Sequence, residues 1–469
     1  MGQIDQPFLF HWDQVDAASD LDRLELVLKT IPDQGIIREL KIRRGNGRNT
    51  YPVVPMWNAV LAGIIYQHPT PAALLRELRR NGELRERCGF DPLKGAAAVP
   101  SAHNMSRFLR HLLALEPMIQ AMFDELVERA TALVPDLGQE LAFDGKAIPS
   151  YSTGQKNQET GQTSDPDADH GVKTYRGVGQ DGNSWEKVKR WFGYQLHLIV
   201  DANYELPVGY EVRKASTSEV TRLVPMMERL EETQPELVAR TATLAADKGL
   251  DSGPVNRVLL QDYGVRPIID TRHLWSQEKA EPGYDSTEPI TRPLYPERVD
   301  TIIYTERGDV RCVCPQGGEV RDLAFMGYEK DRETLKYRCP AAAYGYGCQG
   351  RAECEALALG APGGFGRIVR VPLQLDYRIF VPTPRSSPSF TRAYAKRSSV
   401  ERVNSRIDHV LGFENHTIRG LQKMRTRMGL ALVVMLSMAV GHLQAGRRDQ
   451  MRSFVGAISD EGREERKAA

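Results

Sequence analysis

The chain has 469 residues, 26% of them charged, and its formal net charge of +1 excludes a uniformly basic, histone-like DNA-binding protein. Local clusters of charge still permit DNA binding, and the length is enough for about two to four domains. No basic segment followed by an apolar stretch marks a secretory signal at the N-terminus. With six cysteines and no such signal, we expect a cytoplasmic protein whose cysteines are thiols or metal ligands.

Apolar residues at helical spacing predict an all-α domain over residues 1–139. Thr70 before Pro71 marks the start of one helix, and Ser101 marks another. Two clusters of basic residues here are candidates for contacts with DNA phosphate, and a solvated surface is an equal alternative because glutamates interrupt the second cluster. The clusters are Arg38, Lys41, Arg43, Arg44 and Arg48, and Arg76, Arg79, Arg80, Arg85 and Arg87.

The pattern changes to strands in residues 140–275, where strands and helices alternate as in a mixed sheet flanked by helices. Two of the predicted strands end in an aspartate, Asp144 and Asp247. Carboxylates on neighbouring strand ends repel each other unless a divalent cation lies between them, so this pair is a candidate metal site. Asp201 and Asp270 also close strands, but Asp201 fits a hairpin turn better, which leaves Asp270 as the stronger competitor.

Residues 276–385 form a predicted β-rich insertion that contains five of the six cysteines. Their spacing, Cys-x-Cys and Cys-x8-Cys, differs from the usual Cys-x2-Cys pairs of zinc sites. Structural zinc and free buried thiols are therefore equal alternatives. The candidate zinc ligands are Cys312, Cys314, Cys339, Cys348 and Cys354.

Residues 386–445 are predicted to be helical and are followed by a charged tail, residues 446–469. The apolar run from Met428 to Leu443 is shorter than the ~20 residues that span a bilayer, so we expect a buried core helix. Upstream of this run, a predicted helix carries a phenol, a guanidinium, a carboxylate and an amide along one face, which is unlike an ordinary Glu/Lys surface. This face comprises Tyr394, Arg397, Glu401, Asn404 and Asp408, opposite Val400, Val403 and Ile407.

Four segments in order resemble the DDE-type transposases of bacterial insertion sequences with a Y-x2-R-x3-E signature helix. They are Phe-Asp144-Gly-Lys, Phe192 to Asp201, Ala-Asp247-Lys-Gly and Tyr394-x2-Arg397-x3-Glu401. The resemblance covers most of residues 50–445. It implies an RNase H-like fold, in which residues 140–275 and 386–445 form the catalytic core. Asp144, Asp247 and Glu401 would then hold two Mg²⁺ or Mn²⁺ ions.

The expected function is metal-dependent cleavage of element ends and strand transfer into target DNA. The resemblance also implies that the protein acts as a homodimer on DNA. Arg397 and Tyr394 are candidates for phosphate contacts, with Lys146 and Arg402 as weaker ones. The family often has a lysine seven residues after the glutamate, where this chain has Asp408, so a DNA contact there stays open. Two alternatives are an RNase H-like endonuclease without strand transfer and a non-catalytic DNA-binding regulator.

Overall fold

The computed structural model describes residues 20–45, 51–157, 160–178, 184–275, 289–296, 302–356 and 366–452. The chain divides into two compact units. The first unit comprises Met1–Leu137, Gly145–Thr217 and Glu401–Ala469, and the second comprises Gly138–Asp144 and Ser218–Val400. Arg48 of the first basic cluster and residues 453–469 of the predicted tail lie outside the described residues.

The N-terminal region of the first unit is helical, as predicted. Two of its helix starts follow the sequence signals: the Thr70 hydroxyl accepts a hydrogen bond from the Ala73 amide, and the Ser101 hydroxyl accepts one from the Asn104 amide. The helices are α1 (Asp20–Thr30), α2 (Gln34–Arg44), α3 (Val53–Ile65), α4 (Pro71–Arg80), α5 (Gly82–Cys88), α6 (Ala102–Leu113) and α7 (Glu116–Leu133).

A mixed sheet follows, flanked by helices. Its elements are β1 (Glu140–Pro149), β2 (Asp169–Val178), β3 (Ser184–Asp201), β4 (Pro207–Lys214), α8 (Val220–Thr233), α9 (Pro235–Arg240), β5 (Thr243–Ala246), α10 (Gly253–Gln261) and β6 (Arg266–Ile269). The strand order is β4-β3-β1-β5-β6, and β2 also pairs with β3. β5 is parallel to β1 and to β6, whereas β2 and β4 run antiparallel to β3. This arrangement confirms the predicted RNase H-like class.

Two local predictions near this sheet have opposite outcomes. Asp201 closes the β3–β4 turn, because one carboxylate oxygen accepts hydrogen bonds from the amides of Asn203 and Tyr204. A capping box formed by Ser216 with a glutamate three residues later is equally readable in the sequence, but it is wrong. The amide and hydroxyl of Ser216 instead donate to Asp169, and α8 begins without a side-chain cap.

The insertion is β-rich, as predicted, and belongs to the second unit. Its described elements are β7 (Thr291–Pro293), β8 (Ile302–Thr305), β9 (Val310–Val313), β10 (Val320–Asp322), β11 (Ala324–Glu329), β12 (Thr334–Arg338), α11 (Pro340–Tyr344), α12 (Arg351–Ala356) and β13 (Ile368–Pro372). They form two antiparallel sheets, ordered β10-β9-β8-β7 and β11-β12-β13. The apolar residues 377–381 also suggest a strand, but they form a turn in which the amides of Ile379 and Phe380 donate to the Asp376 carbonyl.

The continuous helix predicted over residues 394–408 is broken in the structure. α13 (Pro388–Ala395) ends before α14 (Ser398–Ser405) begins, and a π-helical turn, Arg406–Val410, follows. At the break, the amides of Lys396 and Arg397 each donate to the carbonyl three residues earlier. This tight turn rotates the residues before it relative to those after it, so the polar residues do not share one regular helical face.

The apolar C-terminal helix α15 (Leu421–Gln444) is the core helix of the first unit. It is long and apolar enough to cross a membrane, but 89% of its most apolar window is buried inside the protein. It packs against α1, α3, α7 and β4. Close packing requires glycine at one point, since a Cβ on Gly429 would lie 2.5 Å from the Tyr210 hydroxyl oxygen. The prediction of a buried core helix is confirmed.

Candidate active site

Three aspartates lie at the same level of three adjacent parallel strands in the second unit. Phe143 of β1 pairs with Ala246 of β5, and Ala246 pairs in turn with Ile269 of β6. Asp247 and Asp270 directly follow β5 and β6, whereas Asp144 is the next residue of β1, which continues to Pro149, so the prediction that this strand ends at Asp144 is wrong. The three aspartates nevertheless lie side by side where β5 and β6 end. The structure thus brings Asp144 and Asp247 together, and it places the competitor Asp270 beside them.

Neighbouring side chains distinguish the two aspartates that follow β5 and β6. An Arg307 guanidinium nitrogen lies 3.7 Å from a carboxylate oxygen of Asp270, so this carboxylate already has a cation beside it. Asp247 accepts a hydrogen bond of 2.9 Å from the backbone amide of Lys248. Asp144 and Asp247 are both half-buried. Asp270 is therefore the less suitable metal ligand, because Arg307 offsets its charge.

The phenol and guanidinium of the signature motif lie near these aspartates. α13 packs against β5 and β6. The Arg397 guanidinium carbon is 5.9 Å from the centre of the Tyr394 ring. Burial raises the pKa of Tyr394, and the charges of Asp247 and Asp270 add to this rise while Arg397 opposes it. The Tyr394 hydroxyl therefore keeps its proton at neutral pH and can donate a hydrogen bond.

Glu401 lies in α14 and begins the last of the three segments that make up the first unit. Its side chain is exposed, whereas Val400 and Val403 are 0% exposed. The helix is thus anchored by its apolar residues and presents the carboxylate to solvent, as the alternation of polar and apolar positions predicts.

The two weaker phosphate-contact candidates are held by ion pairs within the first unit. Lys146 pairs with Asp408, and both side chains are mostly buried. Arg402 lies 2.5 Å from Glu205, which also pairs with Arg406. Burial acts to raise the pKa of Glu205, but the two arginines outweigh it and the net shift is downward. Asp408, which has no role assignable from sequence, therefore orients Lys146.

Much of the second basic cluster contacts its own helices. Arg80 pairs with Glu77, and Arg87 lies 2.6 Å from Glu25. Arg85 donates to the backbone carbonyls of Leu78 and Arg79. Because these arginines already contact carboxylates or carbonyls, they are less available to bind DNA phosphate. Exposed ion pairs of this kind are weak, however, so a phosphate can replace the carboxylate.

A buried network of charges near the aspartates is a feature that sequence periodicity does not reveal. Arg385 is 2% exposed and donates to the backbone carbonyl of Ile269, the residue before Asp270. It also contacts Asp251, which pairs with Arg378 at 3.0 Å. The network ties the end of β6 to the segment that leads into α13. Single arginines in loops carry no spacing signal, so the sequence alone does not predict it.

The five cysteines of the insertion line one cavity of about 510 Å³. Arg367 donates to the Cys312 sulfur at 3.6 Å. A Cβ on Gly350 would lie 2.5 Å from the Cys314 sulfur, so the glycine permits the close approach of this thiol. Burial raises the pKa of Cys354, and neighbouring cysteines add to the rise. Within the described residues, no group of three or more His, Cys, Asp or Glu side chains is arranged to hold a metal ion.

Comparison with known families decides the class of the protein. The family Transposase DDE domain matches residues 137–436, which is more than half of the chain. The protein belongs to the DDE transposases. A second family, Transposase domain (DUF772), matches residues 13–111. The chain is therefore a DNA transposase, an enzyme of phosphoryl transfer on DNA, as the four sequence segments predict.

Among solved structures, the transposase is similar to the piggyBac transposase in a cryo-EM synaptic complex with hairpin DNA. The identity is 11% and the TM-score 0.36, with 98% of this chain and 84% of that chain covered. A likeness this remote supports no conclusion about the site. A search of curated proteins gives no match.

Proposed function

We propose that this transposase cuts the ends of its element and joins the freed 3′-hydroxyl to target DNA in a reaction that requires a divalent metal. Membership of the DDE family supports phosphoryl transfer on DNA. The observation that carries the proposal is the register of β1 and β5, which sets Asp144 and Asp247 side by side. Two carboxylates at neighbouring positions of adjacent strands form a donor set suited to Mg²⁺ or Mn²⁺.

Asp144, Asp247 and Glu401 would hold the metal ions. When bound, these ions supply Lewis-acid activation of the attacking water or hydroxyl and stabilise the leaving oxygen. The donor chemistry fits, because hard divalent cations prefer carboxylate oxygens. Since no three such groups are already arranged for a metal in the described residues, metal binding would have to bring the carboxylates together. Asp270 is the second choice for one of these positions, and its contact with Arg307 argues against it.

Arg397 and Tyr394 position the DNA backbone in this proposal. A guanidinium binds phosphate oxygens through two parallel hydrogen bonds, and it stays charged at any physiological pH. The raised pKa of Tyr394 keeps its hydroxyl protonated, so it donates a second type of hydrogen bond to phosphate. Lys146 and Arg402 would contact more distant phosphates by exchanging their present carboxylate partners for DNA.

An assay with the DNA that flanks the coding sequence tests this function. Purified protein is incubated with this DNA, a target plasmid and Mg²⁺, and cleavage and joining are measured separately. The proposal predicts both products for the wild type and neither for Asp144→Asn. Cleavage without joining would indicate a nuclease, and DNA binding without either product would indicate a non-catalytic regulator.

We also propose that four of the five insertion cysteines bind a structural Zn²⁺. Their presence around one cavity supports this, as does the glycine that lets the Cys314 thiol approach. Because no three ligands are already arranged for a metal in the described residues, binding would draw the sulfurs together and couple to local folding.

Metal analysis of the purified protein tests the zinc site. The expected result is one zinc per chain, lost in Cys314→Ser and retained in Cys88→Ser, since Cys88 is buried among the N-terminal helices. Wild-type protein without bound zinc would contradict the proposal.

We further propose that the active form is a homodimer that holds two DNA ends, and that it acts on chromosomal DNA in the cytoplasm. Strand transfer that joins two ends to one target supports two active sites in one complex. Light scattering of the protein with element-end DNA would give two chains per complex, and a complex with one chain would refute the dimer.

A further inference from the structure

A two-stranded ribbon in the first unit has no function in the proposed chemistry. β2 and β3 pair from Asp169 opposite Gly193 to Val178 opposite Ser184. β4 joins β3 only from Tyr194 onward. We define the ribbon as residues 172–178 and 184–190. All the side chains from Trp185 to Arg190 are exposed, so both faces of β3 are open to solvent over this stretch.

The register sorts the ribbon's side chains onto two faces. Alternate residues of a strand share a face, and residues directly opposite each other on paired strands do as well. Lys173 lies opposite Lys189, and Lys187 and Trp185 follow at alternate positions of β3. We call these four residues the lysine face. Glu186 alternates with them and lies on the other face, so no described position of the lysine face carries an acid.

Two features of the lysine face are complementary to an anionic partner. Lys173 lies directly opposite Lys189, and Lys187 is the next residue of β3 on this face, so three positive charges are grouped there. Trp185 is 48% exposed, although an indole usually contributes to a core. Both features fit a polyanion with aromatic or sugar surfaces that lies against the face. Duplex DNA has this chemistry.

The spacing of the lysines fits a DNA backbone. Lys187 and Lys189 are two residues apart on one strand, a distance of about 6.8 Å. Successive phosphates of one DNA strand advance by about 3.4 Å along the helix axis, so two lysines this far apart can each reach a separate phosphate. A two-stranded ribbon is also one of the elements that the major groove of B-DNA admits.

We propose that the ribbon is a DNA-binding arm whose lysine face lies along duplex DNA. Lys173, Lys187 and Lys189 neutralise phosphates, and Trp185 packs against sugar or base surface at the groove. The proposal rests on the DNA substrate of the transposase family and is independent of the metal ligands proposed above.

DNA binding by the full-length protein tests the arm. Affinity for a mixed-sequence duplex is measured in EDTA, so that cleavage does not occur, over a series of salt concentrations. The double variant Lys187→Gln/Lys189→Gln should reduce the slope of log affinity against log salt by about 1.8, which corresponds to a roughly 50-fold loss at about 0.1 M salt. Trp185→Ala should weaken binding about fivefold or more.

The matched control removes two exposed lysines elsewhere, in Lys29→Gln/Lys94→Gln, whose side chains are 71% and 65% exposed. Wild-type slope and affinity in the ribbon variant would overturn the proposal, as would an equal loss in the control. All these substitutions are at exposed positions, and an unchanged thermal unfolding curve would show that the fold is intact. If the ribbon variant binds DNA as tightly as the wild type and Asp144→Asn loses cleavage, the proposed DNA-binding arm is refuted and the proposed function is supported.

Discussion

The candidate metal-binding aspartates and the ribbon differ in how the chain holds them. Asp144 and Asp247 follow buried residues of paired parallel strands, so backbone register fixes their separation. Lys187 and Lys189 of the ribbon lie on a stretch of β3 whose side chains are exposed on both faces. Phosphoryl transfer needs carboxylates at fixed positions, whereas binding along a polyanion needs reach and charge. The rigidly held aspartates are therefore suited to catalysis, and the exposed ribbon is suited to DNA binding.

The largest expected effect is a difference in cleavage rate between substitutions of Asp247 and Asp270, the aspartates that follow β5 and β6. Asp247→Asn removes a proposed metal ligand and should lower the cleavage rate by about a thousandfold, since metal activation supplies several kcal/mol. Asp270→Asn is the matched control, and its carboxylate is beside Arg307, so cleavage should stay within about tenfold of the wild type. Single-turnover cleavage assays measure the rates of both variants. A larger loss of rate in Asp270→Asn than in Asp247→Asn would assign the metal to Asp270.

Loss of the buried network should destabilise the scaffold behind the aspartates. Arg385→Met leaves the Ile269 carbonyl without its donor and removes a cation from buried Asp251, at a cost of about 3–5 kcal/mol. Chemical denaturation monitored by intrinsic fluorescence measures this loss. Arg370→Met, which breaks an exposed pair with Glu329, should cost less than about 1 kcal/mol. Equal losses in the free energy of unfolding for the two variants would show that the buried network stabilises the protein no more than an exposed ion pair does.

A smaller effect is expected at the proposed phosphate contacts. Tyr394→Phe removes one hydroxyl donor and should slow cleavage about tenfold, as expected for a hydrogen bond to a charged group. DNA affinity in EDTA should change much less, because the ribbon and other basic residues carry most of the binding. A large loss of affinity with unchanged cleavage at saturation would place Tyr394 in binding and not in the reaction.

The smallest expected effect concerns acid stability. Because the pKa of folded Glu205 is below its usual 4.5, its ion pairs add stability above pH 4.5, and this stability is lost as the pH falls through the folded pKa. Glu205→Gln should cost about 1 kcal/mol at neutral pH and nothing at strongly acid pH. Thermal unfolding across pH measures the difference, and a cost that did not vary with pH would rule out the charge as its source.

Parts of the site follow from sequence, and others need the fold. Apolar runs ending in Asp-Gly and Asp-Lys-Gly predict strands that deliver Asp144 and Asp247, and the sheet order agrees. Periodicity misses the break after α13, because a tight turn changes neither polarity nor spacing. It also misses the Lys146–Asp408 pair, whose members are far apart in the chain. The division into five segments, the three metal ligands and the zinc site stay predictions.

We propose that Asp144 and Asp247 contribute to a metal site and that Asp270 does not. The most direct measurement is Mn²⁺ titration of the full-length protein, followed by the electron paramagnetic resonance signal of the free ion. Wild type and Asp270→Asn should bind Mn²⁺ alike, whereas Asp144→Asn and Asp247→Asn should each lose that binding. Mn²⁺ binding that survives in Asp247→Asn and disappears in Asp270→Asn would contradict this assignment of the metal ligands.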